Sequence, residues 1–388
     1  MSEIYNYGSH YVDRDDVNSL KNSLYQESIT NGILVSKLES VTSKILDCKY
    51  AIACNSGTSA IYMTLMSIGL KKGDNVIIPS INFVAAANIC KIIGANIYFA
   101  DVDKNTFQLS KKTTEDCIKK NKLKKIKVIF SMFLGGKPCH VGELYKLKKK
   151  LNCYLIEDAC HALGSSYEIG KNQYKVGSSK HADFSIFSLH PVKAITSGEG
   201  GLICTNLKKF SSNLIKLRSH GISGKKNYKY DVIFNSLNFR LSDINCALAI
   251  SQFKKLRKFV NWRQKLAREY FKNFLKLDDY VRVINYDRKS LSSWHLLIVE
   301  INFKKLKINY EKFFSLLKKK GINAQLHYIP TYRFKAFSDH YNSRKFCINS
   351  ELYYKNCISL PLYFNLKLSD IKKITSMLIQ IIDINKKL

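Results

Sequence analysis

Ser188-Leu-His-Pro-Val-Lys193-Ala-Ile-Thr-Ser-Gly-Glu-Gly-Gly201 joins two short apolar segments, Phe184–Leu189 and Gly201–Thr205. Apolar runs of this length, bounded by turn residues, read as strands buried on both faces. Five more precede them: Tyr50–Cys54, Asn75–Pro79, Asn96–Ala100, Val128–Phe133 and Tyr154–Glu157. Helix-compatible stretches lie between several of them, at Thr58–Ile68, Phe83–Ile93, Val141–Leu151 and Lys208–Arg218. The alternation predicts an α/β domain over residues 15–253, a mostly parallel seven-stranded sheet flanked by helices, with ligands at the carboxyl ends of the strands. Residues 1–14 form an N-terminal arm. Leu241 to Leu275 contains neither Pro nor Gly and predicts a helix long enough to bridge to a second unit. Residues 254–388 alternate less regularly and predict a smaller C-terminal α+β domain. Its elements are a strand at Trp294–Ile301, a helix at Tyr310–Lys320, a strand at Ala324–Tyr328 and an amphipathic helix at Leu368–Ile384.

A chain of 388 residues holds about two to three domains' worth of sequence. Its apolar share of 46% and charged share of 24% are those of a globular protein, not a disordered one. No apolar run approaches the length of a membrane span. The opening MSEIYNYGSH has no basic flank before an apolar stretch, so no signal peptide is expected and the cytoplasm is the expected compartment. The net charge of +33 raises a nucleic-acid or membrane partner. Only ten of the 63 basic residues are Arg, however, the side chain suited to bidentate phosphate and base recognition. The lysines are spread along the whole chain, which favours a solvated, compositionally biased surface and no nucleic-acid partner. Eleven cysteines without a CxxC pair give neither a zinc site nor a disulfide framework. Cys139-His140 invites a catalytic dyad, but sequence neighbours seldom face one another, and Pro138 marks a turn.

Three stretches carry chemistry. In the opening loop, Lys193 beside a serine can form a Schiff base to an aldehyde cofactor while the hydroxyl holds its phosphate; a hairpin loop with a solvated lysine would read the same way. Cys54-Asn-Ser-Gly-Thr58 runs from a strand into a helix, where small residues and free N–H groups receive a phosphate. It also suits an ordinary N-cap. In Leu155-Ile-Glu-Asp158-Ala-Cys-His161-Ala-Leu-Gly164, a carboxylate ends a buried strand and can pair with a protonated pyridine nitrogen, or cap a helix.

Taken together with Asn82-Phe-Val-Ala85, Arg218-Ser-His-Gly-Ile222 and Asn238-Phe-Arg-Leu-Ser-Asp-Ile-Asn-Cys-Ala-Leu248, these stretches resemble the DegT/DnrJ/EryC1/StrS family of pyridoxal-phosphate sugar aminotransferases. The likeness runs over essentially the full length. It implies the fold of the fold type I PLP-dependent transferases and pyridoxal 5'-phosphate (PLP) as cofactor. Lys193 matches the lysine that bonds to the cofactor and moves the proton. Asp158 matches the partner of the pyridine nitrogen, and Phe83 the aromatic stacked on the ring, with a core Phe at the start of a helix as the alternative. Gly57, Thr58 and Ser188 match phosphate-holding positions. Asn238 matches a residue reaching the phosphate from the opposite subunit, which implies a homodimer with a shared active site. His161 stands where many members carry Gln; it packs beside the ring or serves as a core histidine.

Within the family, the segments around Tyr7 and Glu27–Thr30, the run His161–Ser165 and Gly321–Pro330 look most like the pseudaminic acid branch. That branch moves the amino group of L-glutamate to C4 of a UDP-linked 4-keto-6-deoxy-N-acetylhexosamine. The resemblance implies that Tyr7, Glu27, Ser28, Ile29, Thr30, Gly57, Ser188, Asn238, Gln325, Leu326, His327 and Tyr328 face the nucleotide sugar. The competing expectation is a C4 or C3 aminotransferase on another nucleotide-linked keto-sugar, of a perosamine, bacillosamine or legionaminic type. A non-enzymatic sensor on the same fold would not need Lys193. Two departures from the family pattern stand out: Ser197 where Thr is usual, and Met132-Phe-Leu-Gly-Gly136 where an Asp- or His-containing run is commoner.

Overall fold

A computed structural model gives the structure, which describes residues 4–226, 229–285, 289 and 291–387. Seven strands form the central sheet in the order Tyr50–Cys54, Gly201–Thr205, Phe184–Ser188, Tyr154–Asp158, Val128–Met132, Asn75–Pro79, Asn96–Ala100. Gly201–Thr205 is antiparallel to both its neighbours. The remaining adjacent pairs are parallel. Four of the seven strands have the bounds expected from sequence, and the other three differ by one residue at an end. Both faces of the sheet are covered. Helices Gly57–Ser67, Ala85–Ile93 and Lys208–Leu217 pack on one side with Ile52, Ile78, Phe130 and Phe184. The other side buries Ala51, Ala53, Phe187 and Leu202 against Ile33–Leu46 and the first half of Asp243–Phe274.

That 32-residue helix runs unbroken past residue 253. Ser242 caps it through its hydroxyl, which accepts from Asn245 N at 3.2 Å. Its second half contributes Leu266, Ala267, Tyr270 and Phe274 to another core. There a three-stranded antiparallel sheet, Val281–Val283, Leu297–Ile301 and Cys357–Leu360, is backed by helices Tyr310–Lys319 and Leu368–Ile384. The N-terminal arm joins the same region: Tyr5–Asn6 pairs in parallel with Ile322–Asn323.

The expected strand at Ala324–Tyr328 is not formed. Only Gln325 touches a sheet, through an isolated bridge to Ser359. A strand sends alternate side chains to opposite faces, whereas Gln325, Leu326, His327 and Tyr328 all turn to one cavity. No helix among the described residues is long and apolar enough to cross a membrane. All eleven cysteines are free, and only Cys139 and Cys160 are less than fully buried.

Candidate active site

The parallel strands deliver their last residues to one edge of the sheet, where Met132, Asp158 and Ser188 line a cavity of about 630 Å³. Gly201, the first residue of the antiparallel strand, pairs there with both Cys54 and Ser188. A Cβ on Gly201 would lie 2.2 Å from the carbonyl oxygen of Ser56, so only glycine lets the strand and the following helix start meet. A Cβ on Gly57 would press on Ser188 Cβ at 3.1 Å, which ties the helix start to the strand end.

The helix Gly57–Ser67 opens onto the cavity. The Ser56 hydroxyl takes the Ser59 N–H at 3.1 Å, and its carbonyl takes that of Ala60. The amides of Gly57 and Thr58 have no partner within the helix, and the helix dipole favours an anion before them. Ser188 Oγ stands beside them and accepts from His190 N at 3.3 Å.

Asp158 is 3% exposed, and its Oδ1 accepts from Cys160 N at 3.2 Å. Burial raises its carboxyl pKa above the usual range, against the lowering effect of Cys160 and of the Lys193 charge. The pocket-facing carboxylate therefore gains from a cationic donor, which a pyridinium N–H provides. Lys193 lies half-buried in the same cavity. Burial lowers its pKa, opposed by Cys160 and Asp158. Phe83 is 51% exposed, lines the cavity and meets the Tyr328 ring at 5.7 Å between centroids. The helix that follows begins at Ala85, so Phe83 precedes it and is not a core residue at its start. An aromatic face, an acid, an amine and free helix amides in one cavity fit the ring, nitrogen, aldehyde and phosphate of pyridoxal phosphate.

The far wall comes from the C-terminal region. Gln325 exchanges two backbone hydrogen bonds with Ser359, at 3.1 and 2.7 Å. His327 Nδ1 lies 2.9 Å from Ser359 Oγ, and burial brings its pKa down to about 4, with Lys193 acting in the same direction. Tyr7 packs on the His327 ring at 4.9 Å. His161 is buried, with Nε2 2.8 Å from the Tyr328 hydroxyl.

Tyr7, Gly57, Thr58, Phe83, Asp158, His161, Ser188, Lys193, Gln325, Leu326, His327 and Tyr328 thus share one cavity. Glu27, Ser28, Ile29, Thr30 and Asn238 do not line it. Ser28 Oγ donates to Thr30 O at 2.6 Å, and Ile29 O accepts from Asp243 N at 2.9 Å. Asn238 is exposed, and its Oδ1 accepts from Arg240 N at 3.1 Å. The sequence reading missed Met132, Cys160, Glu199 and His295 as lining residues. Cys160 was within reach, two positions after Asp158; His295, a lone histidine in an apolar segment, gave no local signal. His140 of the supposed dyad is 3.1 Å from Thr106 Oγ1, and the Cys139 thiol faces Asn285 Oδ1 at 3.9 Å. A second cavity, between Lys111–Lys120 and the 340–349 segment, mixes Lys112, Lys120 and Lys345 with Asp103 and Asp116 and holds none of the residues singled out from sequence.

The UDP-4-amino-4,6-dideoxy-N-acetyl-beta-L-altrosamine transaminase of Campylobacter jejuni is 36% identical over 381 residues, which is 98% of both chains. The structure of Helicobacter pylori PseC, described as an aminotransferase involved in the biosynthesis of pseudoaminic acid, superimposes with a TM-score of 0.90 at 29% identity, covering 97% of this chain and 99% of that one. A putative sugar aminotransferase of Streptococcus pneumoniae in its PLP form shares the fold, with a TM-score of 0.88 at 22% identity over 98% of this chain and 99% of that one. The model of the DegT/DnrJ/EryC1/StrS aminotransferase family matches residues 10–379, and the chain belongs to that family.

Proposed function

We propose that the chain transfers the amino group of L-glutamate to C4 of a UDP-linked 4-keto-6-deoxy-N-acetylhexosamine. The product is UDP-4-amino-4,6-dideoxy-N-acetyl-β-L-altrosamine, made in the cytoplasm for pseudaminic acid biosynthesis. The observation that carries this reading is the meeting of Lys193, Asp158 and the Gly57–Thr58 amides with Gln325–Tyr328 in one cavity. The likeness to the altrosamine transaminase over 98% of the chain supplies the substrate.

Pyridoxal phosphate, when bound, supplies an aldehyde carbon that takes up an amine and a ring that spreads the electron pair left by a lost proton. The chain's residues do the rest. Gly57, Thr58 and Ser188 hold the phosphate. Asp158 would accept a hydrogen bond from the ring nitrogen and keep it protonated. Phe83 would offer its aromatic face to the ring. Lys193, its pKa lowered by burial, takes a proton from the α-carbon of glutamate and later returns one to C4 of the sugar. Gln325, Leu326, His327, Tyr328 and Tyr7 orient the sugar.

Asn238 and Glu27–Thr30 are assigned to the cavity of a second subunit in a homodimer. Their position outside the chain's own cavity supports this, as do the exposed apolar side chains Leu24, Tyr25, Ile29, Ile33 and Leu237 around them. Mixing Lys193→Ala chains with Asn238→Ala chains is expected to restore about a quarter of the activity, because half the dimers are mixed and each carries one intact site. Two inactive proteins that stay inactive on mixing would remove the shared site.

The reading is tested by the visible spectrum of the purified protein, followed by mass analysis of its product. A yellow band that bleaches with glutamate, is absent from Lys193→Ala and precedes amination of the UDP-keto-sugar is the expected outcome. A protein that stays colourless with added pyridoxal phosphate overturns the enzyme reading. A yellow protein that aminates only a perosamine- or bacillosamine-type precursor overturns the substrate.

A further inference from the structure

The roles proposed above give His161 none beyond packing beside the cofactor ring, and it is where the two oddities of the cavity wall meet. One is the histidine itself. The other is the turn Met132-Phe-Leu-Gly-Gly136, which brings the Gly135 N–H to 3.4 Å from His161 Nδ1. Gly135 sits at φ 74°, a left-handed conformation that favours glycine. A backbone amide can only donate, so Nδ1 is the bare nitrogen, and in the neutral ring the proton is on Nε2. Burial keeps the imidazole neutral, holding its pKa well below the ordinary value, and the Lys193 and His327 charges act the same way. The ring cannot easily turn. His295 packs behind it at 4.3 Å between centroids, and Ser293 Oγ holds the His161 carbonyl at 3.0 Å.

Nε2–H therefore donates across 2.8 Å to the Tyr328 hydroxyl. That occupies one lone pair of the phenol oxygen and turns the phenol's own proton away from His161. Burial, then the nearby Asp158 carboxylate, raises the Tyr328 pKa and keeps the proton on. Its ring meets those of Phe83 and His327, tilted and edge-on, at 5.7 and 5.3 Å between centroids.

We propose that His161 is a positioning residue for Tyr328: it fixes the phenol so that its O–H points into the cavity at an oxygen acceptor of the bound ligand. This rests on the function proposed above. The acceptor is a bare oxygen either on the cofactor ring or on the nucleotide sugar.

The test uses the holoenzyme with Tyr328→Phe, His161→Leu, their double variant and His161→Gln. Two readouts separate the acceptors. One is the midpoint of the pH titration of the visible band without sugar; the other is the affinity for UDP-4-amino-4,6-dideoxy-N-acetyl-β-L-altrosamine. A ring acceptor shifts the midpoint by about one pH unit in Tyr328→Phe. A sugar acceptor weakens sugar binding roughly tenfold. In either case His161→Leu is expected to match Tyr328→Phe, the double variant to be no worse than either, and His161→Gln to restore the wild-type value. Its amide can accept from Gly135 and donate to Tyr328. Independent, multiplying losses overturn the proposal, as does a His161→Leu protein with wild-type values in both readouts. Should His161→Leu fail to fold, the histidine 15N spectrum of the unmodified holoenzyme decides: a proton on Nε2 is required, and one on Nδ1 overturns it. A wild type that binds no cofactor fells the parent function, whereas a yellow wild type with uncoupled variants fells this inference alone.

Discussion

On one side of the cavity the reactive groups stand at the ends of regular elements: Asp158 and Ser188 close parallel strands, and Gly57 opens a helix. On the other side Gln325, Leu326, His327 and Tyr328 follow one another along a stretch that is neither strand nor helix, pinned to the sheet edge at Ser359. The first wall is positioned by hydrogen-bond ladders and can be rigid whatever ligand arrives. The second is held by one backbone bridge, Gln325 to Ser359, and otherwise by side chains such as His327 on Ser359 Oγ. On the proposed function, the first wall holds the cofactor and the pinned stretch meets the sugar.

The largest break in that division is expected at Lys193. Lys193→Ala should cost at least about 10³-fold in turnover and leave far-ultraviolet circular dichroism unchanged, because a half-buried loop side chain supports chemistry and not the sheet. Next comes Asp158→Asn, which keeps the shape and removes the charge. A fall in kcat on the order of 10²- to 10³-fold, with KM for the sugar little altered, would place Asp158 on the chemical wall. A rise in KM alone would count against it.

The same strand offers a sharper contrast. Glu157 points to the opposite face, where the Ser185 hydroxyl donates to it at 2.6 Å, and burial pushes its carboxyl pKa up to about 7 from an ordinary 4.5. Between those values the unfolded chain has lost a proton that the folded chain keeps. Stability therefore falls as pH rises through this window and levels off above about 7, a loss of about 3 kcal/mol at 1.36 kcal/mol per unit. Urea denaturation at pH 5 and pH 8 measures it, and Glu157→Gln should flatten the difference without lowering activity. An unchanged pH dependence in that variant refutes the assignment. The smallest effect is expected from Ser359→Ala, which frees the His327 ring: about 1 kcal/mol, seen as a several-fold rise in sugar KM at constant kcat.

The central sheet was legible because buried parallel strands are short apolar runs between turn residues. The helix Lys111–Lys120 was not: Lys-Lys-Thr-Thr-Glu-Asp-Cys-Ile-Lys-Lys buries only Thr114 and Cys117, so no apolar period marks it. Nor was the pairing of Tyr5–Asn6 with Ile322–Asn323, since partners at opposite ends of the chain leave no local trace. Asp158 and the Gly57 helix start were legible because each sits at an element end with its own neighbours, and Lys193 because its loop carries a distinctive run of turn residues. The far wall was legible as residues but not as a shape: Ala324–Tyr328 read as a strand, and only the pairing with Ser359 reveals what holds it instead.

The helix Asp243–Phe274 has one further consequence. Near its start Asn245 Nδ2 donates to the carbonyl of Ser197, at 2.5 Å, in the loop that carries Lys193. Farther along, buried Arg263 Nη1 donates to the carbonyls of His295 and Leu362, at 3.3 and 2.7 Å, just outside the strands Leu297–Ile301 and Cys357–Leu360 of the smaller sheet. A single rod therefore acts as the caliper of the cavity, and its gauge is counted in residues. One residue inserted between those two contacts would advance the far jaw by about 1.5 Å and swing it through about 100°. The span from the Lys193 loop to the smaller sheet is thus written into the chain as an integer, which can be changed only in steps and never by degrees.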